Sequence, residues 1–184
     1  SLIRQGATTE WTLGGAVNRY DGDHYGTILW LDKPGDVYPG YEWYRNNGVK
    51  DEANIYGKMN TALTGSFNGF IDLQLRHISY RFAGPDDDMK ALDASHRFLF
   101  FNPKAGLFWN NGNGSEAFVS VAVAHREPTR ADYKDAAGDP SATPGRERLT
   151  DFEGGYTFRT SSVALGVNLY YMQYRDQLEI GRAS

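Results

Sequence analysis

Asp151 and Glu153, two carboxylates two residues apart, are the pair whose type and spacing could first do chemistry in this chain. On an extended strand, residues i and i+2 leave the same face, so both would point away from Phe152, Gly154, Tyr156 and Phe158. Paired carboxylates carry acid–base catalysis in glycosidases at separations of roughly 5–9.5 Å. Any i, i+2 pair on a strand satisfies that range, and no other group converges on this one. No catalytic residue is assigned, and the chain is not expected to be an enzyme. Salt bridges from these carboxylates to Lys58 or Arg76 on neighbouring strands are the expected use.

Asp86-Asp87-Asp88 offers hard oxygen ligands but lacks the glycine and distant glutamate of a calcium loop. It reads as a solvated charge run. His24, His77, His96 and His125 form no His-x-His or His-x3-His pair. No metal site and no cofactor is expected. Between Tyr20 and Asp51 lie Tyr38, Tyr41, Trp43, Tyr44 and Arg45, aromatic rings with hydrogen-bonding edges beside a cation. On a loop, such residues suit capture of a planar or glycan-like solute, and these five are the candidate ligand contacts.

The elements that must position these residues are strands. Ile71, Leu73 and Leu75 alternate with Asp72, Gln74 and Arg76, an aliphatic face against a polar one. Ala117, Val119, Val121 and Val123 share a second parity, and Val163, Leu165, Val167, Leu169 and Tyr171 a third. Period two predicts seven long strands, at Thr9–Arg19, Glu52–Leu63, Phe67–Arg81, His96–Trp109, Glu116–Arg126, Arg148–Arg159 and Ser162–Asp176. An eighth is possible inside Tyr20–Asp51, over His24–Leu31. Helix is expected to be near nil. Short Gly- and Asn-rich turns at Thr64–Ser66, Asn110–Gly114 and Thr160–Ser161 alternate with long polar links at Tyr20–Asp51, Phe82–Ser95 and Glu127–Glu147. Bacterial outer-membrane barrels have this arrangement of short turns at one end and long loops at the other.

Composition agrees. The 184 residues include 21 glycines and 14% aromatics, with a net charge of −4 that gives nucleic acid no reason to bind. No run approaches the ~20 apolar residues of a membrane-spanning helix. That leaves barrels open, because their strands expose only alternate side chains to lipid. On a barrel strand the polar face looks into the lumen, so Lys58, Asp72, Arg76, Asp151 and Glu153 are expected to be lumen-facing. The fold class is therefore all-β, an antiparallel up-and-down meander of long strands forming an arc of a transmembrane β-barrel. Two exposed strand edges need partial closure or a second copy.

Four segments in order carry a resemblance. Lys50–Leu63 with its Ile-Tyr-Gly-Lys, Phe101-Asn102-Pro103-Lys104-Ala105-Gly106-Leu107, Val121–Thr129 and Glu147–Tyr156 resemble successive strands in the barrels of TonB-dependent outer-membrane receptors. The likeness extends from about Gly14 to Leu178. It implies a barrel of about 22 strands in the bacterial outer membrane, filled by an N-terminal plug. It further implies import of a small solute such as an iron chelate (siderophore), a corrinoid or a glycan. Its partners would be outer-membrane lipid, the plug domain of the same parent chain, and the TonB complex reached through a missing N-terminal part. No plug, TonB box or terminal aromatic strand is readable here, so residues 1–184 are expected to be one internal barrel segment. The alternatives are a self-contained small outer-membrane barrel with a structural or adhesion role, and a soluble all-β ligand-binding module.

Overall fold

The computed structural model describes residues 1–33, 35–91, 93–135 and 144–177. They form one antiparallel sheet of eight strands in sequential order. The strands are β1 (Leu2–Gln5), β2 (Thr9–Thr27), β3 (Glu42–Ala62), β4 (Phe67–Ala83), β5 (Ala94–Asn110), β6 (Ser115–Arg126), β7 (Glu147–Arg159) and β8 (Ala164–Arg175). One helix of six residues, α1 (Arg130–Asp135), lies between β6 and β7. Every connection joins neighbours, so the sheet is a meander, as the alternating patterns require.

The register separates the two faces. One row across seven strands reads Trp11, Met59, Ile71, Ala105, Val121, Phe152 and Tyr171. The adjacent row, one residue along each strand, reads Thr12, Lys58, Asp72, Lys104, Ala122, Asp151 and Met172. The first belongs to an outer face whose large apolar side chains stay exposed, Leu73 at 44% and Leu169 at 72% among them. The second belongs to an inner face, where the small core of Ile78, Phe82 and Phe100 also sits.

Turn chemistry sets the short end. At the β5–β6 turn, Asn111 Oδ1 accepts the backbone N–H groups of Asn113 (2.8 Å) and Ser115 (3.0 Å). Gly114 there has φ +87° and lies so close to the Arg159 carbonyl that no Cβ fits. Thr64 and Thr160 cap the β3–β4 and β7–β8 turns in the same manner, through their hydroxyls.

The structure corrects the sequence reading in three places. Tyr20–Asp51 is not one long loop: β2 and β3 continue through it as a paired ribbon, from Tyr20↔Lys50 to Gly26↔Tyr44. His24–Leu31 is accordingly no separate strand, since His24–Thr27 is the end of β2. The eighth strand is instead Leu2–Gln5, paired with Glu10–Leu13. The ribbon escaped detection because Asp21, Gly22, Asp23, His24 and Gly26 show no apolar alternation, and two-sided exposure demands none. The terminal Gly-Arg-Ala-Ser, read as lacking a closing strand, lies outside the described residues.

The wall is uneven in height. Pairing of β4 with β5 runs up to Phe82↔Ala94, whereas pairing of β5 with β6 stops at Lys104↔Ala122. The next residue of β5 is Pro103, which has no N–H to offer a partner strand. Beyond it β6 is free of the ladder with β5, and the chain after Arg126 turns onto the inner face of β3–β5.

Candidate functional site

Above the charged row, the inner face carries an ion cluster built from two strands and one loop. Arg76 on β4 forks onto Glu52 on β3, Nε to Oε1 at 2.8 Å and Nη2 to Oε2 at 3.0 Å. The same guanidinium reaches Glu127, just past β6, at 3.0 Å, and Lys50 on β3 donates to Glu127 at 2.6 Å. Register brings these together: Glu52 lies one inner-face step from Lys50, and Arg76 is paired with Asn54. Glu127 is mostly buried, with 11% of its side chain exposed. Burial works to raise its carboxyl, but the Lys50 hydrogen bond and the Arg76 charge hold it below the ordinary glutamate range.

From Glu127 the chain climbs the inner wall as a strap. Pro128 is fully buried. Thr129 and Asp132 cap α1 reciprocally: the Thr129 N–H and hydroxyl donate to Asp132 Oδ2 at 2.6 and 2.8 Å, and the Asp132 N–H donates back at 3.3 Å. Tyr133 stacks on His96 with centroids 4.2 Å apart and meets Phe82 edge-on at 5.8 Å. Burial pushes the Tyr133 phenol up to about 12. Arg130 donates to Asp86 at 2.6 Å and to Asn46 Oδ1 at 3.3 Å, while Lys134 bridges to Asp87. Asp86 is buried, so the aspartate run is not a solvated one. Only part of it faces water, and Asp86 and Asp87 clamp the strap to the β4–β5 loop.

An aromatic and amide column descends the same face. Phe98 stacks on Phe100 (5.6 Å) and Phe100 on His125 (5.5 Å, 2° between planes). His125 Nδ1 lies 2.9 Å from Asn102 Oδ1, and Asn102 Nδ2 donates to Gln74 at 3.0 Å. Because the Asn102 amide N–H is spent on Gln74, its oxygen is the acceptor, which assigns the His125 proton to Nδ1.

The residues singled out from sequence take these positions. Lys58, Asp72, Arg76, Asp151 and Glu153 all share the inner face. Lys58 pairs with Asp72 at 3.2 Å. The expected bridges from Asp151 and Glu153 to Lys58 or Arg76 do not form, because β5 and β6 stand between β4 and β7. Asp151 Oδ1 is buried without a hydrogen-bond partner. Among the aromatics, Tyr38 and Tyr41 meet edge-to-face at 6.0 Å in the exposed β2–β3 loop. Trp43 donates its indole N–H to the Asp87 carbonyl at 2.9 Å. Tyr44 lies on the opposite face of β3, beside Gly26, where a Cβ would collide with it. Arg45 binds Glu42 (2.5 Å) and Asp23 (3.1 Å) and covers the Tyr25 ring at 4.7 Å. The five therefore divide between a loop tip and two faces of one strand.

Sequence reasoning did not find Glu52, Glu127, Arg130 or Tyr133, and read Lys50 only as a cation beside the loop aromatics. One signal was present: Thr129-x-x-Asp132 is a capping box, which marks a helix start inside the β6–β7 link. The inward turn of that link has no sequence signature.

No protein-family model and no curated protein matches the chain. Among solved structures, the chain is similar to the ferric-catecholate import receptor Fiu of Escherichia coli K12 in its open form, with a TM-score of 0.56 and 16% identity. The match covers 95% of this chain and 29% of the receptor's. The fold is an arc of β-barrel wall, similar to part of that receptor's barrel. The chain thus spans under a third of the receptor it resembles, and at this identity the likeness is one of fold.

Proposed function

We propose that the chain is a barrel segment of a TonB-dependent outer-membrane receptor that imports a scarce nutrient. One observation carries this reading: of two adjacent rows across seven strands of the same sheet, the outer is wholly apolar and the inner carries four charged side chains, Lys58, Asp72, Lys104 and Asp151. A soluble sandwich would cover that apolar face, whereas a barrel wall turns it to lipid. The outer band from Thr61/Phe67 to Ala53/His77 spans about ten residues, or about 25 Å of height at the usual strand tilt. The likeness to an import receptor supports the same assignment. A plug domain and the TonB complex would be partners through other parts of the parent chain. The imported solute would be a siderophore, corrinoid or glycan, with an iron chelate favoured by the neighbour's cargo. Tyr38, Tyr41, Trp43, Tyr44 and Arg45 remain proposed solute contacts at the long-loop end.

The test is fractionation and uptake. Cells expressing the full gene that encodes this chain should hold the product in the detergent-extracted outer membrane. Its deletion should abolish energy-dependent uptake of one of the three solute classes. Recovery in the soluble fraction, with uptake of all three intact, would overturn the proposal.

A further inference from the structure

Glu127 is an unusual occupant of the inner face. It arrives from a loop rather than from the wall, and it takes three charge-assisted hydrogen bonds from two cations on different strands. Glu52 can neutralise only one of those cations. With Glu127 gone, Lys50 and Arg76 would keep one uncompensated positive charge beside Tyr80, whose ring already faces the Lys50 ammonium at 5.9 Å.

The remainder of the strap fits its seat incompletely. Four buried side-chain polar atoms among the described residues lack a hydrogen-bond partner, and three belong to the strap or its clamp: Arg130 Nε, the Tyr133 hydroxyl and Asp86 Oδ2. The Lys134 ammonium lies 3.5 Å from Asp86 Oδ2, outside ordinary hydrogen-bond contact. A segment docked for good satisfies such atoms; here part of the hold is the Glu127 ion pairs, which a competing anion can replace.

We propose that Lys50 and Arg76 form a binding site for a carboxylate-bearing solute, and that Glu127 occupies it as a tethered stand-in until that solute displaces the strap. The class of ligand follows from what the site already holds: a guanidinium fork and an ammonium converge on one carboxylate. Departure of the strap also uncovers Phe82 and His96, giving the solute an aromatic wall beside its anionic group. This rests on the inner face being the solute path. The ligand shifts the strap only by its preference for the vacated site. A tethered carboxylate competes at an effective concentration on the order of millimolar, so a weak probe must be supplied in excess of that.

The experiment uses the full-length gene product in detergent and malonate as probe. This segment has no cysteine; with any cysteine elsewhere in the product replaced by serine, Ala94→Cys, at a position that packs against Phe82 and Tyr133, reports whether the strap is seated. Maleimide labelling should be slow, and should speed up about tenfold with Glu127→Gln or with about 50 mM malonate. Chloride at matched ionic strength should leave it slow. Independently, calorimetry on chains without the reporter cysteine should find malonate bound about tenfold tighter by Glu127→Gln. Adding Lys50→Met to that variant should remove the binding. Labelling and affinity both indifferent to Glu127→Gln would overturn the proposal, as would equal acceleration by chloride. A product found outside the membrane that still releases its strap to malonate would sink the receptor reading and leave this site standing.

Discussion

At the scale of single residues, the strap's hold is electrostatic, and its pH dependence follows in sign. Burial works to raise the Asp86 carboxyl, yet the Asp87 backbone amide and the charges of Arg130 and Lys134 hold it below the ordinary aspartate range. Glu127 is depressed likewise. A carboxyl whose docked value lies below its free value of about 4 stabilises docking above that pH, and the contribution is lost as pH falls through the depressed value. With every other tryptophan of the full-length product replaced by phenylalanine, Trp11, Trp30 and Trp109 among them, Trp43 remains as a reporter tied to the Asp87 carbonyl. Its emission should hold steady down to about pH 4 and shift below it. A transition centred between pH 5 and 7 would assign control to a histidine instead.

Arg76 is the residue on which the cluster turns, since it hydrogen-bonds both Glu52 and Glu127, whereas Lys50 hydrogen-bonds Glu127 and stands 3.9 Å from Glu52. Arg76→Met should leave two half-buried carboxylates facing each other and cost about 1–3 kcal/mol, measured by urea unfolding in lipid vesicles. Arg76→Lys should recover only part, because an ammonium lacks the planar fork that pairs bidentately with each carboxylate. A loss below the error of the measurement in both variants would mean that Lys50 suffices alone.

At the scale of elements, the strands that were legible in sequence are those with one apolar face. Ile71-Asp72-Leu73-Gln74-Leu75-Arg76 announces its register because a one-residue slip would bring charge to the apolar side. The β2–β3 ribbon above it lacks an apolar face, and backbone pairing with cross-strand polar contacts such as Arg45 to Asp23 and Asn47 to Asp21 holds it. The candidate site was half legible for a related reason. Parity places Lys58, Asp72, Arg76, Asp151 and Glu153 on one face, but parity says nothing of which strands are neighbours in space or which loop folds inward. The step in the wall does have a readable cause at Pro103. Pro103→Val restores an N–H and should let β5 and β6 pair past Lys104↔Ala122. Backbone amides near Asn102 and Ala124 would then gain hydrogen-exchange protection, and unchanged exchange would place the cause of the step elsewhere.

At the scale of the whole molecule, the apolar face is large and almost nothing in the described chain covers it. Few hydrophobic residues are buried, and the sheet cannot owe its stability to a conventional core. Under the proposed function, lipid does that work, and the two faces must then respond oppositely to the same substitution. Leu73 and its neighbour Gln74 are adjacent in sequence, equal in height on the wall and opposite in direction. In full-length protein folded into lipid vesicles, Leu73→Arg should cost about 2–4 kcal/mol if the residue lies near the bilayer midplane. Gln74→Arg enters a face already lined by Lys58, Asp72 and Arg76 and loses the hydrogen bond that Asn102 donates, so it should cost less, about 1 kcal/mol. The asymmetry should shrink in detergent of short chain length, where a charged side chain reaches water easily. Equal penalties at the two positions in vesicles would mean that the outer face meets protein rather than lipid, and the apolar row would then mark an interface with another chain.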